Sequence, residues 1–205
     1  MKSSSGSSEN ALPRPRDYRS PDLLRLVDRL HDVITGMEMP DVPAPAAPFE
    51  ALPAASPGEI LGLLEYLDAR GGQEDVFRIA ADTDREFGRL IAVVNAAELL
   101  DLVDTPKRLV LLSIEGARLV RASPADRKAI FREHILGLRL FQHVRDALER
   151  REDHRLPRDF VLELVALHMP NEDFEAVFAT FATWGRFADL LAYDERSETL
   201  ALPER

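Results

Sequence analysis

Apolar residues recur at helical spacing in several segments, and capping residues mark where these segments start. Ser-Pro pairs stand at Ser20-Pro21, Ser56-Pro57 and Ser123-Pro124. A serine side chain accepts hydrogen bonds from the free N–H groups of a first helical turn, and proline suits the first position because it lacks an N–H. The pattern therefore predicts helices that begin at residues 21, 57 and 124.

The region after Ser56 is predicted to contain three helices. They run from Pro57 to Gly71, over Glu74–Ala81 and over Asp84–Leu99, and Thr83 and Glu86 have the spacing of a capping box before the third. The stripe that this third helix should turn inward consists of Phe87, Leu90, Ile91, Val94 and Ala97. This half therefore predicts a small helical core.

A hairpin follows these helices. Apolar residues at 102–103 and 109–112 flank a turn formed by residues 104–107, which is typical of two short paired strands. Ser113 can then cap a short helix over Ile114–Val120.

The second half repeats the order of helices and hairpin. A long helix is predicted over Pro124–Arg151, followed by helices over Pro157–His168 and from Pro170 to Ala188. The apolar side of the long helix consists of Phe131, Ile135, Leu138, Phe141 and Leu148. Strands over Leu190–Asp194 and Glu198–Leu202 close the chain. The halves share no appreciable sequence identity, so the repeat is one of architecture.

The fold class that follows is mainly α with two short β-hairpins, arranged as tandem winged-helix-like units. A single mixed helical domain with two small hairpins is the alternative. We expect the following organisation: a disordered N-terminus over 1–20, a helix over 21–36, a Pro-rich linker over 37–56, and winged-helix-like units over 57–122 and 123–205.

Composition narrows the class of protein. The net charge is −10, and the acidic excess is present in both halves, so no basic surface indicates a nucleic-acid binder. The chain has no cysteine, which excludes disulfides and thiol nucleophiles and suits the cytoplasm. The first ten residues are polar and unlike a signal peptide, and the longest apolar runs are shorter than a membrane span.

Three segments resemble a known family. They are Gly58–Leu67, Arg127–His134 and Thr183–Asp194, the last with Trp184-Gly185-Arg186-Phe187-Ala188. They look like the AAA-associated C-terminal domain of ATP-binding subunits from nitrate/sulfonate/bicarbonate-type ABC importers. The segment Arg16–His31 is similar to the tail of the ATPase that precedes this domain in such subunits. The resemblance implies an accessory domain that is carried without its ATPase.

The sequence gives no support for catalysis or a cofactor. A phosphate-binding loop needs a Gly-Lys pair, and Lys2, Lys107 and Lys128 do not follow glycines. The histidines show no paired spacing on one helical face that would bind a metal: His31, His134, His143, His154 and His168. No Gly-x-Ser-x-Gly elbow is present. We therefore expect no catalytic, cofactor-binding or metal-binding residues.

The remaining candidates are contacts for a protein partner. The apolar stripe of the helix over 21–36 is one candidate surface, formed by Leu23, Val27, Leu30 and Ile34. That stripe can also fold back on its own domain. Further candidates are the basic residues Arg127 and Arg132 and the C-terminal cluster of Trp184, Arg186, Tyr193 and Asp194. For this cluster the alternative is structural, with Trp184 in the core and Arg186 pinning the last hairpin, for example through Asp194.

Two functions compete. The first is a non-catalytic accessory or regulatory module that binds an ABC-type importer ATPase, or a second copy of itself, in the cytoplasm or at the inner membrane through a transporter. The second is a winged-helix transcriptional regulator that binds DNA. The predicted recognition helices argue against DNA, because the second opens with Asn171-Glu172-Asp173 and acidic residues repel phosphate.

Overall fold

The computed structural model describes residues 48–203, which belong to one compact unit. The helix predicted over residues 21–36, with Leu23, Val27, Leu30 and Ile34, lies outside the described residues. The same holds for the predicted N-terminus and for most of the predicted linker. The last part of that linker, residues 48–56, packs on the core, where Phe49, Leu52 and Ala55 are buried.

The described chain is mainly helical, as predicted, and its order of elements repeats. The first half contains α1 (Pro57–Ala69), β1 (Gln73–Asp75), α2 (Val76–Thr83), α3 (Phe87–Leu99), β2 (Val103–Asp104) and β3 (Leu109–Leu112). Two helices follow, α4 (Ile114–Arg121) and α5 (Pro124–Ile135). The second half contains α6 (Arg139–Arg150), β4 (Arg155–Pro157), α7 (Arg158–His168), α8 (Phe174–Phe187), β5 (Ala192–Asp194) and β6 (Thr199–Ala201).

Each predicted hairpin is part of a larger sheet. Both sheets are antiparallel with three strands, in the orders β1-β3-β2 and β4-β6-β5. In the first, Glu74 lies opposite Val110, and in the second Leu156 lies opposite Leu200. The hairpins are therefore present, but a third strand from earlier in the chain completes each sheet.

The predicted helix over Glu74–Ala81 is wrong at its start. Residues Gln73–Asp75 pair with Leu109–Leu111 as a strand, and the helix begins only at Val76. Asp75 is the N-cap, and its carboxylate accepts from the N–H of Phe77 at 2.9 Å. Glu74 and Asp75, which were predicted to open the helix, therefore lie in the strand that precedes it.

The predicted long helix over Pro124–Arg151 is two helices. The chain turns at Leu136–Leu138, where Gly137 N–H donates to His134 and Leu138 N–H donates to Ile135. The second helix then starts at Arg139, whose N–H is capped by the carboxylate of Glu50 at 2.9 Å. The apolar periodicity continues across the turn, so the local sequence did not reveal the break.

The third helix also starts later than predicted. Thr83 donates its hydroxyl to the carbonyl of Ile79, and Glu86 is the N-cap, accepting from two N–H groups of the first turn. Phe87 is therefore the first helical residue and is 42% exposed, so its predicted inward position is wrong. Leu90, Val94 and Ala97 are buried as predicted. In the second half, α8 starts at Phe174 with Asp173 as its cap, later than the predicted Pro170.

Aromatic side chains connect the two halves in one core. Trp184 on α8 is fully buried and packs edge-on against Phe131 of α5, with ring centroids 5.9 Å apart. Its indole N–H donates to the carbonyl of Ala55 at 2.7 Å. The segment before α1 is thereby fixed to the last helix of the chain.

The halves share a plan of backbone hydrogen bonds. The first N–H of α2, at Val76, donates to Arg108 at 2.9 Å, and the first N–H of α7, at Arg158, donates to Glu198 at 2.8 Å. Each acceptor immediately precedes the last strand of its half. The residues after α3 and α8, Asp101 and Asp189, both have left-handed backbone, with φ of 54° and 49°.

The sheets begin in the same way. Leu112 N–H donates to Gly72, and Leu202 N–H donates to His154, in each case joining the end of the last strand to the residue before the first. Gly72 has φ of 91° and His154 has φ of 48°, so both halves need left-handed backbone here. Glycine adopts it without steric cost, whereas histidine must be held there by its surroundings.

Candidate interaction surfaces

The predicted basic residues of α5 are mostly engaged within the chain. Arg127 binds Glu65 of α1 at 2.9 Å and also donates to the carbonyl of Val120. Lys128 binds Asp189 at 3.0 Å. These contacts tie α5 to both halves of the molecule, which is a structural role.

Arg132 differs from these neighbours. Its Nε donates to the carbonyl of Ala188 at 2.6 Å, and the side chain is half-buried. Among residues 48–203, no carboxylate lies within ion-pair distance of its guanidinium. The side chain is thus oriented by the fold while its charge is left uncompensated by the described part of the chain.

The predicted C-terminal cluster is not brought together as one site. Trp184 contributes no exposed surface. Arg186 lies 3.5 Å from Glu195, so it contacts the turn of the last hairpin through a residue other than Asp194. The ring of Tyr193 packs edge-on against Phe178, and burial raises the pKa of its hydroxyl.

Asp194 organises the last turn. Its carboxylate accepts from the Ser197 hydroxyl at 2.8 Å and from the Arg196 N–H at 2.9 Å. These hydrogen bonds, that of Ser197 first, hold the pKa of Asp194 below its usual value. The geometry is that of a turn stabilised by its own aspartate.

A pair of exposed aromatic residues lies on the first half, and the sequence analysis missed it. Phe77 and Phe87 stack with ring centroids 5.2 Å apart and planes 7° from parallel. They are 55% and 42% exposed, whereas most large apolar side chains of the described residues are buried. Had Glu86 been recognised as the N-cap, Phe87 would have been placed in the first turn, outside the buried stripe.

A groove lies on the second half, beside Arg132. Its volume is about 630 Å³, and it is lined by Arg132, Arg145, Glu149, Asp189, Leu190, Leu202 and Pro203. Arg145 and Glu149 form an ion pair at 2.7 Å along α6. The lining of the groove therefore combines apolar side chains with charged ones.

His143 and His168 lie on different helices, and both contact Phe49. The ring of His168 stacks on it at 4.1 Å and that of His143 lies at 5.0 Å, with the two imidazoles 6.4 Å apart. Phe49 supplies no metal ligand. Within residues 48–203, no group of three or more His, Cys, Asp or Glu side chains is arranged to hold a metal ion.

The helices predicted to face DNA carry few free basic groups. Arg89 on α3 is bound by Glu59 and by the carbonyl of Ala54. Burial alone would raise the pKa of Glu59, but hydrogen bonds from Arg89 and Ser56 outweigh it and lower that pKa to about 2. On α8, Asp173 and Glu175 occupy the start, and Glu175 binds Arg158.

No helix among the described residues has the length and apolar character needed to cross a membrane. The model of the family described as the C-terminal AAA-associated domain matches residues 77–194, which is more than half of the 205 residues and runs from α2 to β5. Searches among curated proteins and among solved structures gave no significant match. The chain therefore belongs to the C-terminal AAA-associated domain family, an accessory domain linked to AAA and ABC-type ATPases.

Proposed function

We propose that this protein is a non-catalytic accessory module that binds the ATP-binding subunit of an ABC-type importer. Membership of the family is the observation that carries the proposal, because the domain is associated with ATPases. The three lysines lack the preceding glycine of a phosphate-binding loop, so the nucleotide chemistry would belong to the partner. Binding would place the protein at the cytoplasmic side of the inner membrane.

The stacked pair of Phe77 and Phe87 is the surface that best fits such a partner. Exposed aromatic side chains are enriched among the residues that contribute most to protein–protein binding. Two rings that are already stacked lose little conformational freedom on binding, so most of the energy of covering them is retained. Leu109, 42% exposed, belongs to the same region, since it lies opposite Asp75 in the sheet.

The proposal can be tested by capture from the native host. The tagged chain should retain the ATP-binding subunit of an importer, identified by mass spectrometry, and the double variant Phe77→Ser, Phe87→Ser should lose it. Ile114→Ser is the matched control, because Ile114 is 88% exposed and lies on α4, away from the pair. Equal retention by the double variant would show that the pair is not part of the interface. Capture of other proteins without the ATP-binding subunit would contradict the proposed function.

The second candidate is a winged-helix regulator that binds DNA. The order α-β-α-α-β-β in each half favours it, because this is the order of a winged helix, whose third helix enters the major groove. The engagement of Arg89 and the acidic start of α8 count against it. Tight binding to one operator in the presence of competitor DNA would favour this candidate over the first.

A further inference from the structure

In the first half, α4 covers the ends of the last helix and last strand. Ser113, its N-cap, donates its N–H to Leu102 at 3.1 Å and its hydroxyl to the carbonyl of Asp101 at 2.8 Å. Gly116 lies so close to Leu102 that a Cβ there would overlap the carbonyl oxygen of Leu102. The helix also packs along α1, where Arg121 binds Asp68 at 2.9 Å.

The second half has the same surface without a helix among the described residues. The shared backbone hydrogen bonds make Asp189-Leu190 equivalent to Asp101-Leu102, and Leu202-Pro203 equivalent to Leu112-Ser113. On α6, whose C-terminal end aligns Leu148 with Leu67 of α1, the positions that correspond to Leu64 and Asp68 are Arg145 and Glu149. These six residues of the second half are six of the seven that line the groove.

The groove thus has the same backbone arrangement as the site that α4 occupies, but its lining is more polar. Leu64 is buried, whereas the equivalent Arg145 is half-buried. Asp68, which binds Arg121 of α4, corresponds to the exposed Glu149. A charged lining stays hydrated when the groove is empty, which suits an occupant that binds reversibly. Permanent burial of such a lining would require every charge to be paired.

We propose that this groove binds a short helix of the protein partner, in the position that α4 occupies in the first half. The occupant needs glycine at the point of closest approach, because on α4 a Cβ at Gly116 would overlap the carbonyl oxygen of Leu102. It also needs an acidic side chain towards α5. Arg145 pairs with Glu149, and Lys128 pairs with Asp189, so among residues 48–203 the guanidinium of Arg132 is left without an ion-pair partner. A single carboxylate of the occupant would pair with it.

This inference rests on the proposed function, since it requires a protein partner, but it concerns a surface separate from Phe77 and Phe87. Photo-crosslinking in the native host distinguishes the two. A benzoyl-phenylalanine is placed in the groove in place of Arg145, beside the aromatic pair in place of Arg78, or on the exposed end of α6 in place of Arg150. We expect position 145 to capture a helical segment of the ATP-binding subunit that carries a glycine and an acidic residue, and position 150 to capture nothing.

The remaining outcomes are separable. Capture from position 78 without capture from position 145 overturns the groove inference and leaves the proposed function standing. Capture of a second copy of this chain from position 145 overturns the inferred occupant in favour of self-association. No capture of the subunit from either position removes both proposals.

The second experiment measures how the charge of Arg132 contributes to the affinity for the partner. With the captured subunit purified, Arg132→Gln should weaken binding about tenfold, because the carboxylate loses its guanidinium partner. Arg150→Gln makes the same change of charge outside the groove and should stay within about twofold of the wild type. Glutamine retains an N–H donor for Ala188, and an unchanged melting temperature would verify that the fold is kept. Equal affinity of both variants would overturn the role of Arg132.

Discussion

The two halves have equivalent corners between helices, α2–α3 in the first half and α7–α8 in the second. The backbone is the same at both corners, but the side-chain contacts differ. At the first corner, Phe77 and Phe87 stack in solvent. At the second, the position of Phe77 is taken by Asp159, and Phe174 stands in place of Phe87 without a stacking partner there. The corner is instead joined by an ion pair between Arg158 and Glu175.

Arg158 has several partners at the second corner. Its guanidinium lies 5.1 Å from the ring centroid of Phe178 and 3.7 Å from Glu198. The second corner leaves one exposed aromatic ring, Phe174 at 37%, whereas the first leaves two stacked rings for another molecule. The shared hydrogen bonds maintain the fold, and the difference between the halves is where recognition can reside.

The largest expected effect concerns the packing of Trp184. This residue is fully buried, and the shared hydrogen bonds at the ends of α3 and α8 place Ala96 at this position in the first half. Trp184→Ala should lower the free energy of unfolding by about 4 kcal/mol, because it leaves a large cavity and an unpaired carbonyl at Ala55. Urea unfolding measures this. A loss below about 1 kcal/mol would mean that the halves do not depend on this shared core.

The next effect tests the docking of α4, which has no counterpart on the second half within residues 48–203. Gly116→Ala should cost about 3 kcal/mol, because the added methyl group overlaps the carbonyl of Leu102 and lies 2.8 Å from the side chain of Leu112. Gly58→Ala on α1 is the matched control, since no atom lies within 4 Å of its added Cβ. Similar melting curves for the two variants would show that α4 does not approach Leu102 this closely.

The pH dependence of stability sharpens the comparison at the first helix of each half. Glu59, with a pKa of about 2, should stabilise the protein fully above pH 4.5 and lose its contribution as the pH falls towards 2. We expect Glu59→Gln to be less stable by about 2 kcal/mol at pH 6 and to approach the wild type near pH 2. The first turn of α6 has no acidic residue. A constant difference between variant and wild type across this range would contradict the assignment.

The smallest effect compares the corners directly. The variant Phe77→Ser, Phe87→Ser should leave the melting temperature nearly unchanged, because exposed rings contribute little to folding. Arg158→Gln should lower it more, because Glu175, Glu198 and Phe178 all lose a partner. Differential scanning calorimetry of both variants checks the order. The reverse order would mean that the aromatic pair is structural and that its exposure carries no functional information.

The sequence was most informative where structure is local. Ser56 and Ser123 cap the helices that they were predicted to cap, and Ser113 caps α4, because each cap is a contact between residues three positions apart. The hairpins were found for the same reason. The family was recognisable from short segments that include Arg127–His134, and the match over residues 77–194 confirms it.

The sequence was least informative where a distant residue decides. Gln73–Asp75 becomes a strand only because Leu109–Leu111 pairs with it, and α6 begins at Arg139 because Glu50 caps it. The groove likewise depends on residues that are distant in sequence, since its lining comes from α5, α6 and the end of the chain. Arg132 was a candidate from sequence, but its loop partner Ala188 and its neighbour Arg145 emerge only from the packing.

The segment before α1 also determines how mechanical load would pass through the molecule. Its carbonyl at Pro48 and its carboxylate at Glu50 are bound by Arg139, and its carbonyl at Ala55 is bound by Trp184. Tension applied at residue 48 is therefore resisted first by α6 at Arg139, and then by α3 and α8, which bind the neighbouring carbonyls of Ala54 and Ala55. These contacts follow one another along the segment, so they would break in sequence before force reaches α1. A pull at residue 48 would thus load helices of both halves before it unfolds the first helix.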